Sequence, residues 1–192
     1  VLEVDELERK LITSSSTAVK YSQLVISTGL TTDYSLVAGL KEYAYGFSNL
    51  NDLLRIKELI TSVNNSSNYT KPLVIAGAGP TGVELACKLS DLVNNRVSIC
   101  LVDKGNKILS KSKSFNREKA IEAIDKRNIK IYLEHYIESI NENVIELSTV
   151  EKERNNSLKI NYFGLLWTAG LRPSKLQLVD NLVDQNKRIS VN

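Results

Sequence analysis

Histidine, methionine, tryptophan and cysteine are scarce in this 192-residue chain, which has one His, no Met, one Trp and two Cys. So few histidines and cysteines exclude a zinc cluster and a disulfide-stapled scaffold. An excess of one charge sign is also missing, because 25 Lys and Arg stand against 22 Asp and Glu, a net charge of +3. This balance gives no basis for nucleic-acid binding. Apolar runs of about 18 residues, long enough to span a membrane, are absent too.

The two cysteines and the single histidine are interpreted as structural. Cys87 and Cys100 are not spaced as C-x-x-C, and each lies in an apolar stretch, which is typical of small core residues. His135 lies between short strand-like runs, and a surface strand position is favoured over a catalytic base or a metal ligand. The strongest functional signal lies in the glycine pattern instead.

The stretch LVIAGAGPTGVELACKL, residues 73–89, holds three glycines within six residues. Its apolar start predicts a buried parallel strand, and its second half has the apolar spacing of a helix. Gly77, Gly79 and Gly82 fit the motif G-x-G-x-x-G. In that motif the first glycine permits a tight turn, the second lets a pyrophosphate approach the backbone, and the third lets the helix pack closely on the strand.

The residues around the glycines give the motif its context. The helix is predicted at 83–92, and Pro80 and Thr81 lie at its start, with Thr81 among its first amides. The free N–H groups and the positive dipole end of this helix attract an anion. A second apolar strand at 96–102 ends in Asp103, about twenty residues past the last glycine, where an acid hydrogen-bonds the adenine-side ribose. Asp103 favours NAD over NADP, although Lys104 beside it offsets part of the repulsion of a 2′-phosphate. The pattern predicts a Rossmann-like NAD(H) site.

The rest of the chain reads as short strands and two further helices. Strands are predicted at 1–5, 10–13, 17–21, 24–26, 129–133, 136–140, 143–149 and 157–163, and a last buried strand begins in FGLLW. Residues 31–47 show no regular pattern, and a helix with Ser48 or Asn49 as its N-cap precedes the glycine motif. Another helix is predicted at 114–127. The predicted buried helix faces include Leu92 and Ile121.

The order of these motifs resembles the two-dinucleotide-binding flavoproteins of the pyridine nucleotide-disulfide oxidoreductase family, in which an NAD(H) domain is inserted into an FAD domain. YSQLVISTG is similar to the segment that leaves the FAD domain, LVIAGAGPTGVELA to the NAD fingerprint, and LLWTAGLRP to the return segment. The Trp-x-Ala-Gly form most resembles type II NADH dehydrogenases, the single-chain NADH:quinone oxidoreductases. The FAD fingerprint of that family is missing here, so the chain resembles an internal fragment.

The resemblance implies two cofactors, NADH and FAD, and places further residues beside them. Glu84 corresponds to an acid near the nicotinamide, whereas position alone indicates only an acid stabilised by a helix dipole. The other contacts that the resemblance implies are Thr168, Ala169 and Gly170 beside NADH, and Thr28 and Gly29 at the edge of FAD and NADH.

We therefore expect an α/β fold, in which a Rossmann-like NAD(H)-binding domain with a parallel sheet and a β-meander is flanked by partial strands of an FAD-binding domain. The expected segments are a partial FAD-binding domain at 1–48, the NAD(H)-binding domain at 49–160, and the return segment at 161–192.

The expected activity is hydride transfer from NADH to flavin and electron transfer to a quinone or another small acceptor, with the fragment alone inactive. Two alternatives stay open: another flavin-dependent member of the family, of the disulfide or sulfide:quinone type, or a non-catalytic NAD(H)-binding module. The expected location is cytoplasmic. The resemblance leaves a homodimer and peripheral membrane contact open.

Overall fold

The computed structural model describes residues 1–65, 70–94, 96–150 and 157–173. It divides the chain into two units, one of Val1–Thr31 with Leu171–Asn192 and the other of Thr32–Gly170. The larger unit contains the glycine motif. The predicted division by cofactor at residues 48 and 160 stays a prediction.

The elements of the first part of the chain are β1 (Glu3–Asp5), β2 (Lys10–Ile12), β3 (Ala18–Lys20), β4 (Leu30–Thr32), α1 (Leu40–Tyr43), β5 (Ala44–Tyr45), α2 (Leu50–Asn65), β6 (Leu73–Ala76) and α3 (Pro80–Leu92). The later elements are β7 (Ile99–Val102), α4 (Ser114–Asp125), β8 (Lys130–Tyr132), β9 (His135–Ile140), β10 (Val144–Thr149), β11 (Leu158–Asn161), β12 (Gly164–Trp167) and β13 (Leu171–Pro173).

The smaller unit contains a sheet of short antiparallel strands. The strands β1, β2 and β3 pair in that order, so the predicted N-terminal meander is confirmed. The predicted buried strand at 24–26 is wrong, because Val25 is 88% exposed and the segment pairs with no strand in the described part of the chain. An apolar run becomes a strand only where a neighbouring strand pairs with its N–H and C=O groups.

A parallel sheet forms the centre of the larger unit, with the strand order β5-β12-β6-β7-β8. Every residue of β6, β7 and β12 is buried, which is why these strands read as continuous apolar runs in the sequence. The predicted Rossmann-like α/β fold is confirmed.

The strand order of this sheet reverses at one point. The chain adds β7 and β8 on one side of β6, and then β12 joins the other side of β6. All four strands are parallel, so their carboxyl ends share one edge of the sheet. Open α/β sheets bind ligands at such a switch point, outside the carboxyl ends of the strands. The turns after β6 and β12 are therefore the first place to look for a site.

Two apolar layers cover the sheet. On one face, residues of α2, α3 and α4 pack on Leu73, Ile75, Leu101 and Leu166. On the other face, β9 and β10 pack on alternate residues of the same strands, among them Val74 and Leu165. The strands β9, β10 and β11 form an antiparallel meander, as predicted. This meander takes the place of a crossover helix between β8 and β12.

Three local predictions need correction. Residues 31–47 contain regular structure, because β5 pairs in parallel with β12 and α1 buries Leu40 fully; a two-residue strand and a one-turn helix are too short to show a period. Leu92 is 42% exposed because it ends α3. Ile121 is 41% exposed, since α4 buries only Ile124 and makes a narrow contact. Asn49 is confirmed as a capping residue, with Oδ1 accepting from the Asp52 amide at 3.0 Å.

Within the described residues, no helix is both long enough and apolar enough to cross a bilayer. The same part of the chain has no group of three His, Cys, Asp or Glu side chains placed to hold a metal ion. Cys100 is buried and Cys87 is half-buried, and burial raises the pKa of both thiols. Raised pKa values keep both cysteines in the unreactive thiol form, in agreement with their predicted core role.

Candidate dinucleotide site at the switch point

The three glycines of the motif meet different steric demands. Gly77 follows β6 with φ of +103°, a conformation that L side chains rarely adopt. A Cβ on Gly82 would overlap the carbonyl oxygen of Gly77 and lie 2.9 Å from the Thr168 hydroxyl, so this glycine is needed for close packing. Gly79 has φ of −74°, and no atom lies within 4 Å of its Cβ position. Neither backbone strain nor packing requires Gly79 to be a glycine.

The open face of Gly79 lies at the start of α3. Gly79 is the N-cap residue, and no side chain accepts a hydrogen bond from the first amides of this helix. Pro80 and Thr81 follow it and are exposed. Free N–H groups and the positive dipole end of a 13-residue helix thus lie beside the open face of Gly79. This is a place where an anion can reach the backbone.

Asp103 follows β7 and is tied to the glycine turn. Its Oδ2 accepts a hydrogen bond from the amide of Ala78 at 2.6 Å, and its Oδ1 accepts one from the amide of Gly105 at 2.6 Å. The side chain is half-buried. A carboxylate has about four lone-pair sites, so two acceptor sites remain for a ligand hydroxyl. Lys104 beside it is exposed.

The turn after β12 lies directly against the turn after β6. The Thr168 amide and hydroxyl both donate to the carbonyl oxygen of Ala76, at 2.9 and 2.8 Å. The Thr168 hydroxyl also lies 3.3 Å from the carbonyl oxygen of Gly77. The Ala169 Cβ would lie 3.2 Å from a Cβ on Gly77. Residues more than ninety positions apart thus share one turn surface.

Gly170 is constrained by the segment that precedes α1. Its φ is +57°, and a Cβ there would overlap the Leu36 side chain. Its carbonyl oxygen accepts a hydrogen bond from the Asp33 amide at 3.0 Å. The small residues of this turn are therefore required by backbone geometry and close approach, independently of any ligand.

The remaining predicted residues lie outside this contact group. Glu84 is exposed on α3, and its carboxylate accepts no hydrogen bond within the described residues. Thr28 and Gly29 belong to the smaller unit, so the group built on β6, β7 and β12 does not include them. Gly29 has φ of +67° with no atom within 4 Å of its Cβ position.

A loop over the glycine turn was not predicted as part of the site. The Leu109 amide donates to the carbonyl oxygen of Ala78 at 2.9 Å, and both Ile108 and Leu109 are buried. Arg117 holds this loop from α4, with Nε 3.2 Å from the Ile108 carbonyl oxygen. The sequence feature that indicates this buried loop is the apolar pair Ile108–Leu109 inside a lysine-rich stretch.

Comparisons with known proteins agree with this geometry. The family model for pyridine nucleotide-disulphide oxidoreductase matches residues 1–192. Demethylphylloquinone reductase NdbB of Synechocystis sp. is 31% identical over 159 residues, which cover 83% of this chain and 38% of that protein. An alternative NAD(P)H-ubiquinone oxidoreductase, C1 of Arabidopsis thaliana, is 25% identical over 175 residues, covering 85% of this chain and 34% of that protein.

A solved structure shows the same fold. NDH2 of Plasmodium falciparum in complex with NADH aligns with a TM-score of 0.76 at 21% identity, over 90% of this chain and 40% of that chain. The chain thus spans less than half the length of the relatives named here.

These findings confirm the predicted resemblance to NADH:quinone oxidoreductases of type II, the oxidoreductase class, and the cofactor pair NADH and FAD as that of the family. From its motifs, its fold and the family match over residues 1–192, the chain belongs to the pyridine nucleotide-disulphide oxidoreductase family.

Proposed function

We propose that this chain is the NADH-binding portion of an FAD-dependent NADH dehydrogenase, in which hydride passes from NADH to flavin and electrons pass on to a quinone. The single observation that carries the proposal is the open face of Gly79 at the N-terminus of α3. A glycine that neither turn nor packing requires is explained by a ligand that approaches the backbone. The quinone acceptor is supported by the names of the relatives, which are quinone reductases.

The described residues fit NADH. A pyrophosphate would lie on the first turn of α3, where the backbone amides lack side-chain acceptors. The adenine-side ribose would donate its 2′-OH to Asp103, whose two backbone hydrogen bonds fix the carboxylate beside the glycine turn. The residues that we assign to NADH are Gly77, Gly79, Pro80, Thr81, Gly82, Glu84, Asp103, Lys104, Thr168, Ala169 and Gly170.

The described residues fit only the edge of an FAD site. Thr28 and Gly29 are exposed, and no atom lies within 4 Å of the Gly29 Cβ position. The one glycine-rich phosphate turn in the described part is assigned to NADH. We therefore propose that the phosphates of FAD are held by other parts of the full-length protein.

In this proposal, the chain positions the nicotinamide. The Thr168–Gly170 turn presents small residues and a rigid backbone to the ring, because Thr168 is bonded to Ala76 and Gly170 to Asp33. The free carboxylate of Glu84 would accept a hydrogen bond from the carboxamide and fix the plane of the ring. The hydride transfer itself is chemistry of the bound cofactors.

The test uses the full-length protein. We expect it to purify with flavin absorbance, to be bleached by NADH without oxygen, and to recover its colour when a quinone is added. Glu84→Gln should slow flavin reduction by about 10-fold to 100-fold, since orientation of the ring contributes to the rate. Glu118→Gln, an exposed acid on α4, is the matched control and should reduce at the native rate.

Three results would decide against the proposal in different ways. A colourless full-length protein that still binds NADH would support a non-catalytic module. A flavoprotein that NADH reduces but no quinone reoxidises would overturn the acceptor. Native reduction rates in Glu84→Gln would remove Glu84 from the site and leave the rest intact.

A further inference from the structure

A backbone hydrogen bond joins His135, the single histidine, to Asp103, the acid that we assign to the ribose. The Asp103 amide donates to the Tyr132 carbonyl oxygen at 2.9 Å, and the His135 amide donates to the Asp103 carbonyl oxygen at 3.1 Å. The Glu134 amide also donates to the Gly105 carbonyl oxygen at 3.0 Å. These three hydrogen bonds hold the turn after β7 against the turn after β8, at the carboxyl edge of the sheet.

The histidine ring is oriented and its tautomer is fixed. His135 Nδ1 lies 2.6 Å from the carbonyl oxygen of Leu133. A carbonyl oxygen can only accept, so Nδ1 carries the proton, and in the neutral ring Nε2 is the acceptor. The ring meets Tyr132 edge to face, with 6.1 Å between centroids. No atom of the described residues hydrogen-bonds Nε2.

The covalent structure of the dinucleotide indicates which of its groups would lie near His135 Nε2. If Asp103 binds the 2′-OH, then the adenine is attached to the neighbouring ribose carbon and lies within a few bond lengths of that acid. Adenine offers a hydrogen-bond donor, its exocyclic N6 amino group. His135 offers a half-buried acceptor, held by Leu133 and Tyr132, on the turn clamped to Asp103.

We propose that His135 binds the adenine of the dinucleotide, with Nε2 accepting a hydrogen bond from the N6 amino group; the assignment rests on NADH as the ligand of the glycine turn. His135 is then a binding residue that selects a 6-amino purine. The strand position predicted from the sequence is confirmed, since His135 begins β9, and the proposal adds a role for the ring edge that faces away from Leu133.

The test compares two nucleotides that differ at the purine 6-position and in the proton on the neighbouring N1. Full-length protein is titrated with NADH and with reduced nicotinamide hypoxanthine dinucleotide, which has an oxygen in place of the N6 amino group. We expect the native protein to bind NADH about three- to tenfold more tightly, the range for one hydrogen bond. His135→Ala should weaken NADH binding by a similar factor and abolish the preference. His135→Gln, whose amide oxygen can accept from N6, should restore part of it.

Tyr136→Ala is the matched control, because Tyr136 is the next residue of β9 and is 43% exposed. It should keep both the NADH affinity and the preference, and thermal unfolding should show that each variant is folded. A native preference for NADH that survives in folded His135→Ala would overturn the proposal, as would equal binding of both nucleotides by the native protein. Failure of the native protein to bind NADH at all would instead overturn the function proposed above.

Discussion

The hydroxyl of Thr168 donates a hydrogen bond to the carbonyl oxygen of Ala76 over 2.8 Å, although the two residues are 92 positions apart. The contact joins the ends of two adjacent parallel strands at the point where the strand order reverses. It also places the Thr168 oxygen within 2.9 Å of the Cβ position of both Gly77 and Gly82. One side chain thus fixes the spacing between the two turns that we assign to NADH.

Thr168→Val should lower the free energy of unfolding by about 1 kcal/mol, because valine has the shape of threonine but cannot donate. The Thr168 amide still donates to Ala76, so the strands stay paired. Urea denaturation would measure the loss. Thr168→Ser keeps the hydroxyl and serves as control, because its loss reports only the missing methyl group; native stability in the valine variant would mean that the hydrogen bond does not stabilise the fold.

Gly79→Val should leave the fold intact and weaken NADH binding by about 100-fold or more, which corresponds to about 3 kcal/mol. The structure has room for the side chain, since no atom lies within 4 Å of the Cβ position. The same space is where we place the pyrophosphate. Fluorescence titration with NADH would measure the affinity, and thermal unfolding would check the fold. Native affinity in the variant would contradict the assignment of the glycine motif.

Gly82→Ala should have the opposite profile and lower the free energy of unfolding by about 1–3 kcal/mol. Its Cβ would overlap the Gly77 carbonyl oxygen, so either α3 or the turn after β6 has to move. Urea denaturation of Gly82→Ala and of Gly79→Ala gives a direct comparison of the two variants, because the same added methyl group meets open space at residue 79. Equal stability of the two alanine variants would show that the helix is free to shift.

Asp103 should make the protein prefer NADH over NADPH by at least about tenfold, or about 1.4 kcal/mol, because its charge repels a 2′-phosphate. Lys104 opposes this repulsion, so Lys104→Ala should raise the preference. Titration of the native protein and of Lys104→Ala with both nucleotides tests the two statements. Equal or tighter binding of NADPH by the native protein would contradict the role of Asp103.

Asp91 should stabilise the fold by an amount that decreases at acid pH. Arg127 donates two hydrogen bonds to its carboxylate, at 2.8 and 3.0 Å, and lowers the Asp91 pKa below its usual 3.8. A lowered pKa in the folded state means that the contribution is present above about pH 4 and is lost as the pH falls through the folded-state pKa. The difference in free energy of unfolding between native protein and Asp91→Asn should therefore shrink from pH 6 to pH 3.

The matched control for that pH series is Asp125→Asn, an exposed acid at the end of α4 that forms no ion pair within the described residues. Its difference from the native protein should be small at both pH values. A difference for Asp91→Asn that stays constant with pH would show that the ion pair with Arg127 does not stabilise the fold.

The glycine motif and its flanking strands were predictable because their signals are local. A buried strand, a helix start and the steric rules for Gly77, Gly79 and Gly82 all act within twenty residues. The contacts of Asp103 with Ala78 and of Thr168 with Ala76 depend on which strands lie side by side, and no local pattern carries that information. The prediction of a strand at 24–26 is wrong for the same reason, because an apolar run forms a strand only beside a partner strand.

The position of β12 in the sheet has a consequence for the nascent chain. Residues 73–76 are synthesised well before residues 164–167, yet β12 is the partner that covers one side of β6. Until β12 arrives, β6 is an edge strand made only of apolar residues, and such an edge pairs readily with other chains. The strand that completes the ligand turn is also the strand that removes this edge, so the segment is protected from intermolecular pairing only when its cofactor site is finished.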